Sequence, residues 1–457
     1  MGRRHPDPCV AAVGQTFPAH NFRDVCDLWL VTKGGAHNVS VEEATISGPW
    51  IERLAEHLAA EAYSLSATRK RMAAGRQFLL YLEKQGIDVA LATAAHEQAF
   101  LDHKLDAHRK RHGNEPSDLN DWIWGYTAGI HMTMRLALGQ WPPVTEPRNP
   151  QDVFRRDLCD AYAQWLSDVR GLAASTIPNR RVEARRFLES LGERGGDQTL
   201  LADITVADLD HYLTNRVPQL RRVSRQCIVL CLRGFLRYMH TQGLVQQDLS
   251  GTLVSPRRYA FESIPPALRA EHVEAVLKAA EKDLTPKGLR DHAILLLLSI
   301  YGLRAGEVTA LRLDDIDWRK DSLRVRHSKT GYESFLPLLS HVGEAILAYL
   351  RRGRPQTKAR EVFLRVRAPF HPLRAGSSLY HMVEHRLQRA KVTLGRKHGS
   401  HAFRHARAVG LLEAGVTMKS IGDVLGHRCP DSTAIYLKLA TSELRAVGLD
   451  VPVGVSR

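Results

Sequence analysis

The chain has 457 residues, 44% apolar and 25% charged, a balance that excludes a disordered protein and is too long for one ordinary core. Its 64 lysines and arginines exceed its 49 aspartates and glutamates, giving a formal charge of +15. That favours a polyanionic partner without separating nucleic acid from an anionic membrane surface.

At the start, Arg3-Arg4 has no apolar stretch behind it and Pro6 occupies the hydroxyl position of a myristoylation signal, so neither secretion nor lipidation is expected. Residues 1–40 receive no role. Helices are predicted over residues 51–62 and 121–138, separated by a segment, 66–88, that recurs without gaps at 175–197. Both copies begin on a serine read as a helix cap (Ser66, Ser175) and place Phe-Leu at one offset (Phe78-Leu79, Phe187-Leu188). Both close on a glycine (Gly86, Gly195) followed two residues later by aspartate. Helices predicted over 157–169 and 224–242 flank the second copy as 51–62 and 121–138 flank the first. The repetition implies two small helical units.

Proline-rich residues 142–150 read as a stiff linker, and residues 255–266 as a second, basic one. They divide the chain into residues 1–145, 151–253 and 260–457. In the middle region Arg180, Arg181, Arg185 and Arg186 crowd one helix, and Arg221, Arg222 and Arg225 lie beside the next. Most charge runs are merely solvated faces, but few acidic residues neighbour these in sequence, so DNA phosphate contact is expected. The six cysteines are scattered, as in a reduced, cytoplasmic protein. Cys227 and Cys231 could share a helix face, yet no second ligand pair stands at zinc spacing, and two small core residues is the preferred reading.

In the last region a helix is predicted over 271–282, and another, buried nearly all round, over 288–299, stopped by Gly302. The apolar run there, 293–300, is far short of the roughly 20 residues of a membrane span. A β-meander follows: a strand over 322–326, a turn over 328–332 with Lys329 near its tip, and a strand over 334–338. Helices are predicted over 379–391, 401–413, 418–425 and 431–440.

Three pieces of this region carry chemistry. Gly302-Leu303-Arg304-Ala305-Gly306-Glu307 is a glycine turn opening a helix, where an arginine can help hold a phosphate. His401-Ala402-Phe403-Arg404-His405 puts histidine and arginine three apart on one helical face. Leu425-Gly426-His427 precedes Ser432-Thr433-Ala434-Ile435-Tyr436, with His427 and Tyr436 nine apart. Singly each has an ordinary explanation: Arg304 paired with Glu307, a solvated Lys329, an exposed His401–Arg404 face, a capping Gly426, a core Tyr436.

Jointly they resemble the phage integrase, or tyrosine recombinase, family. Its signature is a Gly-Leu-Arg-x-x-Glu turn, a hairpin lysine, His-x-x-Arg, a Leu-Gly-His turn and a tyrosine nine residues on; Arg304, Lys329, His401, Arg404, His427 and Tyr436 match in order. The resemblance covers about residues 150 to 445. It implies a mostly α fold with a small β-meander: one or two helical core-binding (SAM-like) domains, then a mixed α+β catalytic domain. Residues 1–145, which look helical, would be a second core-binding-like module, unlike the small β-sheet arm domain of better-known phage integrases.

The resemblance further implies a site-specific recombinase, an integrase or transposase, that cuts and rejoins DNA through a 3′-phosphotyrosine at Tyr436. Arg304 and Arg404 would clamp the phosphate, with His427 donating beside them. His401 is the candidate base, Lys329 (rather than Lys320) the general acid, and Glu307 an orienting group. No metal or other cofactor is expected. The implied partners are double-stranded DNA, three further copies in a homotetramer on two DNA sites, and accessory recombinases or DNA-bending proteins. Residues 441–449 would be available to a neighbouring subunit. The expected location is the cytoplasm, on the nucleoid, and a mobile element is as natural a source as a phage. Two other readings compete: a type IB topoisomerase, and a non-catalytic DNA-binding regulator using the helix-turn-helix-like residues 411–427.

Overall fold

Apolar residues at helical spacing organise the N-terminal helices of the computed structural model, which describes residues 48–143, 149–257, 268–327, 331–374, 376–393 and 399–426, with Thr433 and Tyr436. Helices α1 (Gly48–Ala60), α2 (Leu65–Lys84), α3 (Ala94–His112) and α4 (Leu119–Leu138) bury Leu54, Leu58, Phe78, Leu79, Phe100, Ile130 and Met134. Phe78 meets Phe100 edge-on, ring centroids 5.4 Å apart.

A separate cluster holds α5 (Pro150–Asp168), α6 (Ile177–Ser190), α7 (Gln198–Leu201), α8 (Val206–Arg216) and α9 (Arg222–Thr241). Its centre is Tyr162, Phe187, Leu188, Leu209, Leu232 and Phe235. Phe78-Leu79 and Phe187-Leu188 are thus core pairs in both units, and Asp88 and Asp197 both cap short helices, accepting from Ala90 N and Thr199 N at 2.8 Å each.

The third cluster is built round α11 (Pro286–Ile300), buried from Leu289 to Ser299 apart from His292. Against it pack α10 (Ala270–Glu281), α13 (Ser340–Arg352) and α15 (Ser400–Glu413). The short α12 (Ala305–Thr309), α14 (Ser377–Arg389) and α16 (Met418–Leu425) complete the helices here. A three-stranded antiparallel sheet, β1 (Ile316–Asp317), β2 (Ser322–His327) and β3 (Tyr332–Pro337), runs in chain order, with Ser322 opposite Pro337 and His327 opposite Tyr332. On β2 the pleat sends Leu323, Val325 and His327 inward. Arg324 and Arg326, on the other face, pair with Asp315.

Arg290 and Arg386 flank a fully buried Asp291, and Arg386 also reaches Asp283 at 2.7 Å. Four charges therefore join α11 to α14 inside the protein, each with an opposite partner, as buried charges require.

The mostly α architecture with a small meander is as expected, and several details differ. Ser64, not Ser66, caps α2: its backbone is extended and its hydroxyl accepts from Ala67 N, whereas Ser66 is already helical. In the second unit Thr176 precedes α6, and the left-handed residue after that helix is Gly192 (φ +61°). Gly195 instead lies in a 3-10 turn packed so closely on Leu188 that a Cβ would fall 2.0 Å from its carbonyl oxygen. The two segments therefore differ in helix length beneath their similar sequence. Cys227 is exposed rather than a core residue, and Cys231 is half-buried. Helices α3, α8 and α13 were not anticipated, although Val342, Ile346 and Tyr349 of α13 recur at helical spacing and are buried. Of the helix expected over 431–440, only Thr433 and Tyr436 are described. Among the described residues no helix is long and apolar enough to cross a membrane.

Candidate active site

Arg304 is the residue that starts α12, its backbone extended (φ −73°, ψ 152°). Three residues on, Glu307 turns back: one carboxylate oxygen accepts from Arg304 N and the other from Arg304 Nη1, both at 2.7 Å. The Arg304 N–H is thus taken up by Glu307, and the guanidinium is fixed rather than floating. Its Nη2 lies 3.3 Å from the carbonyl of Gly426.

Glu307 is 4% exposed. Burial works to raise its carboxyl, but the Arg304 N–H, His327 and the Arg304 guanidinium outweigh it and hold the group below the ordinary glutamate range. His327, the last residue of β2, gives Nδ1 to Glu307 at 2.8 Å and bonds Ser334 Oγ through Nε2 at 2.8 Å.

The second arginine comes from α15. Arg404 is 3% exposed; it donates through Nη1 to the Gly302 carbonyl at 2.7 Å and through Nη2 to that of Leu425. It thereby joins the turn before Arg304 to the end of α16. The guanidinium also hydrogen-bonds the Tyr436 side chain, near enough to Arg304 for both charges to act on that hydroxyl. Burial raises the Tyr436 hydroxyl above its usual value, and the two arginines offset this only in part. The ring of Tyr436 packs on His405, centroids 5.5 Å apart. Burial, with His401 and Arg404 nearby, pushes His405 down to about 4, so the ring is neutral near pH 7. His401 lies a turn earlier on the exposed side of α15, its ring 6.3 Å from that of His405.

Arg304, Arg404 and Tyr436 are therefore brought together, with His401 a helical turn from His405. Lys329 and His427 lie outside the described residues. Lys320 sits exposed beside the β1–β2 turn, its N–H bonded to Asp317. Of two further neighbours of this site, sequence reasoning misses His327 and notices His405 without giving it a role. The first had a signal: strand alternation places position 327 on the same inward face as Leu323 and Val325.

The arginines of the middle region are less bare than their sequence neighbourhood implies. Arg181 pairs with Asp160 of α5, Arg185 with Glu189 at 2.7 Å, and Arg186 lies 3.6 Å from Glu183. Arg180 turns inward, its guanidinium beside Tyr162 and Gly234. Arg225 closes the preceding loop on the carbonyls of Pro218 and Leu220. Arg221 and Arg222 are exposed at the start of α9. Among the described residues no group of three or more histidines, cysteines, aspartates or glutamates could hold a metal ion.

The family model described as "Phage integrase family" matches residues 266–443. The integrase/recombinase y4rA of Sinorhizobium fredii is 33% identical over 404 residues, 88% of this chain and 94% of its own. The chain belongs to the phage integrase, or tyrosine recombinase, family. It is accordingly a site-specific DNA recombinase, an enzyme that cuts and rejoins DNA strands. Tyrosine recombinase XerD of Mycobacterium tuberculosis is 30% identical to this recombinase over 302 residues, 63% of this chain and 94% of that one. A structure described as a lambda integrase tetramer bound to a Holliday junction has the same fold: TM-score 0.50 at 19% identity, covering 71% of this chain and 90% of that one. These matches support recombination and give none to the topoisomerase or regulator readings.

Proposed function

We propose that Tyr436 is the nucleophile of this recombinase and that Arg304 and Arg404 hold the phosphate it attacks. The observation that carries the reading is the Arg404–Tyr436 hydrogen bond, made by a guanidinium already anchored on Gly302 and Leu425. A tyrosine bonded to a fixed cation needs little reorganisation when a phosphodiester enters between them. The phenolic oxygen bonds to phosphorus, the bond to the 5′ oxygen breaks, and a 3′-phosphotyrosine forms; attack by the 5′ hydroxyl reverses the step without ATP. Because burial raises the Tyr436 hydroxyl, a base must take its proton, and His401 is assigned that role. Lys329 supplies the proton to the leaving 5′ oxygen, and His427 donates to the phosphate. The chain's own residues suffice, and no cofactor enters these steps.

In the same reading, residues 1–145 and 151–253 are helical DNA-binding units and 260–457 is the catalytic domain. Arg221 and Arg222, with Arg181, Arg185 and Arg186 on α6, contact DNA phosphates; Arg180 and Arg225 support that surface from within. The active assembly is a homotetramer on two DNA sites, working in the cytoplasm on the nucleoid, on the ends of a mobile element and with accessory recombinases or DNA-bending proteins.

The test is covalent capture. Purified protein is incubated with a nicked or 5′-phosphorothiolate duplex carrying the element's end, and protein–DNA adducts are scored on a denaturing gel. Adduct from the wild type and none from Tyr436→Phe is the expected result. An adduct that persists in Tyr436→Phe would show that another residue is the nucleophile.

A further inference from the structure

His327 lies where three parts of the active site meet. Its Nδ1 is 2.8 Å from the Glu307 oxygen that also accepts from Arg304 Nη1, and its Nε2 is 2.8 Å from Ser334 Oγ on the returning strand. The third part is Gly426. A Cβ at that position would lie 2.6 to 2.9 Å from three atoms of the His327 ring, and Gly426 is left-handed (φ +63°), so only glycine lets the turn after α16 close over the imidazole. The carbonyl of the same glycine faces Arg304 Nη2. At 3% exposure the ring has no access to bulk water, and both nitrogens have protein partners.

We infer that His327 is a positioning residue: it acts through Glu307 to hold the Arg304 guanidinium in the orientation that receives the phosphate. The chemistry is directional. A carboxylate only accepts, so Nδ1 carries the proton in the bond to Glu307, and Ser334, which can donate or accept, completes the ring at Nε2. Glu307 has three donors to satisfy at fixed angles: Arg304 N, Arg304 Nη1 and His327 Nδ1. Without the third, the carboxylate can pivot, and the arginine moves with it. A displacement of about 1 Å at a clamp can slow chemistry about a hundredfold, and loss of one of three bonds is expected to do less, about tenfold.

This inference rests on the reading that Arg304 clamps the phosphate, and the test separates the two. Adduct formation is timed for His327→Leu, His327→Asn, His327→Gln, Glu307→Gln and the double variant His327→Leu/Glu307→Gln. Each is run on a nicked duplex with the ordinary 5′ oxygen leaving group and on one with 5′ sulfur, which leaves without a proton. Duplex affinity and melting temperature are measured alongside.

The expected result is about a tenfold slower adduct for His327→Leu with unchanged duplex affinity, and no recovery on the sulfur substrate. The amide of asparagine can take the place of Nδ1 and that of glutamine the place of Nε2, so His327→Asn is expected to recover most of the rate and His327→Gln little. The double variant should be no slower than Glu307→Gln alone. Recovery of His327→Leu on sulfur would overturn the inference, because the residue would then serve leaving-group protonation. Additive losses in the double variant would overturn it as well, as would equal rates for His327→Asn and His327→Gln. If His327→Leu does not fold, the asparagine–glutamine pair still decides. Failure of the phosphate-clamp reading has its own mark: full adduct formation by Arg304→Ala.

Discussion

Arg404 Nη1 donates to the Gly302 carbonyl at 2.7 Å, so the arginine of α15 is fastened to the turn that leads into Arg304. With its second bond, to Leu425, one side chain sets the spacing of three segments far apart in sequence. A lysine would keep the charge but has no planar fork to span two carbonyls. Arg404→Lys is therefore expected to lose covalent adduct by about a hundredfold or more and about 1 to 3 kcal/mol of stability, since buried acceptors lose their donors. Adduct kinetics and denaturant melts check both. Equal stability with lost activity would mean that the carbonyl contacts are dispensable and only the phosphate contact matters.

The packing of His405 on Tyr436 gives stability a pH dependence. Folded, His405 titrates near 4, pushed down by burial and then by His401 and Arg404, and among the described residues its buried Nδ1 has no hydrogen-bond partner. Unfolded, it titrates near the ordinary value of 6.5. Between those values the unfolded chain binds the proton and the folded protein does not, so stability falls as pH drops from about 6.5 towards 4. His405→Gln should remove that component: between pH 7 and 4.5 the wild-type melting temperature is expected to fall by on the order of 5 °C more than the variant's. Parallel curves would mean that His405 is as easily protonated in the fold as outside it.

How much of this is legible in the sequence depends on the range of the interaction. Short motifs mark Arg304, Arg404 and Tyr436, and a continuous apolar run marks the buried α11. Alternation reveals the β-meander, yet a strand ended at Arg326 stops one residue early and hides His327. What the sequence conceals is pairing across elements. Asp160 neutralises Arg181 from a different helix, and Arg180 turns towards Tyr162, so a row of arginines that in sequence calls for an outside anion already has partners within the fold. The two repeated segments mislead in a similar way: sequence offset suggests one cap position, and the backbone chooses Ser64 and Gly192 instead.

Asp291 is fully buried between Arg290 and Arg386, and Arg386 itself is 2% exposed. Burial works to raise the nearby Asp283, but Thr285 and Arg386 outweigh it and bring the carboxyl to about 2. Removing Arg386 leaves the buried Asp291 to Arg290 alone and Asp283 to the exposed Arg389 and Thr285. Arg386→Leu is expected to cost about 3 to 5 kcal/mol, against little change for Lys278→Met, which breaks the exposed pair with Glu274. Denaturant unfolding of the two single variants measures the contrast. Equal losses would show that the α11–α14 network contributes no more than a surface pair.

The inward turn of Arg180 separates it from its neighbours in a binding experiment. Arg221 and Arg222 stand exposed at the start of α9, and Arg181 and Arg185 keep about half or more of their side-chain surface in solvent despite their pairs. If the exposed set sits on phosphates, each arginine made neutral leaves one phosphate with its counterions. The slope of log affinity against log salt should then shrink by about 0.9 for every such phosphate. Arg221→Gln and Arg222→Gln together should flatten the slope by about 1.8. Arg180→Gln should leave the slope unchanged and lower the melting temperature, because it removes a guanidinium packed beside Tyr162 and Gly234 inside the helical cluster. A flattened slope in Arg180→Gln would mean that this side chain swings outward to meet DNA, and an unchanged slope in the Arg221/Arg222 variant would move the phosphate-binding surface to another face.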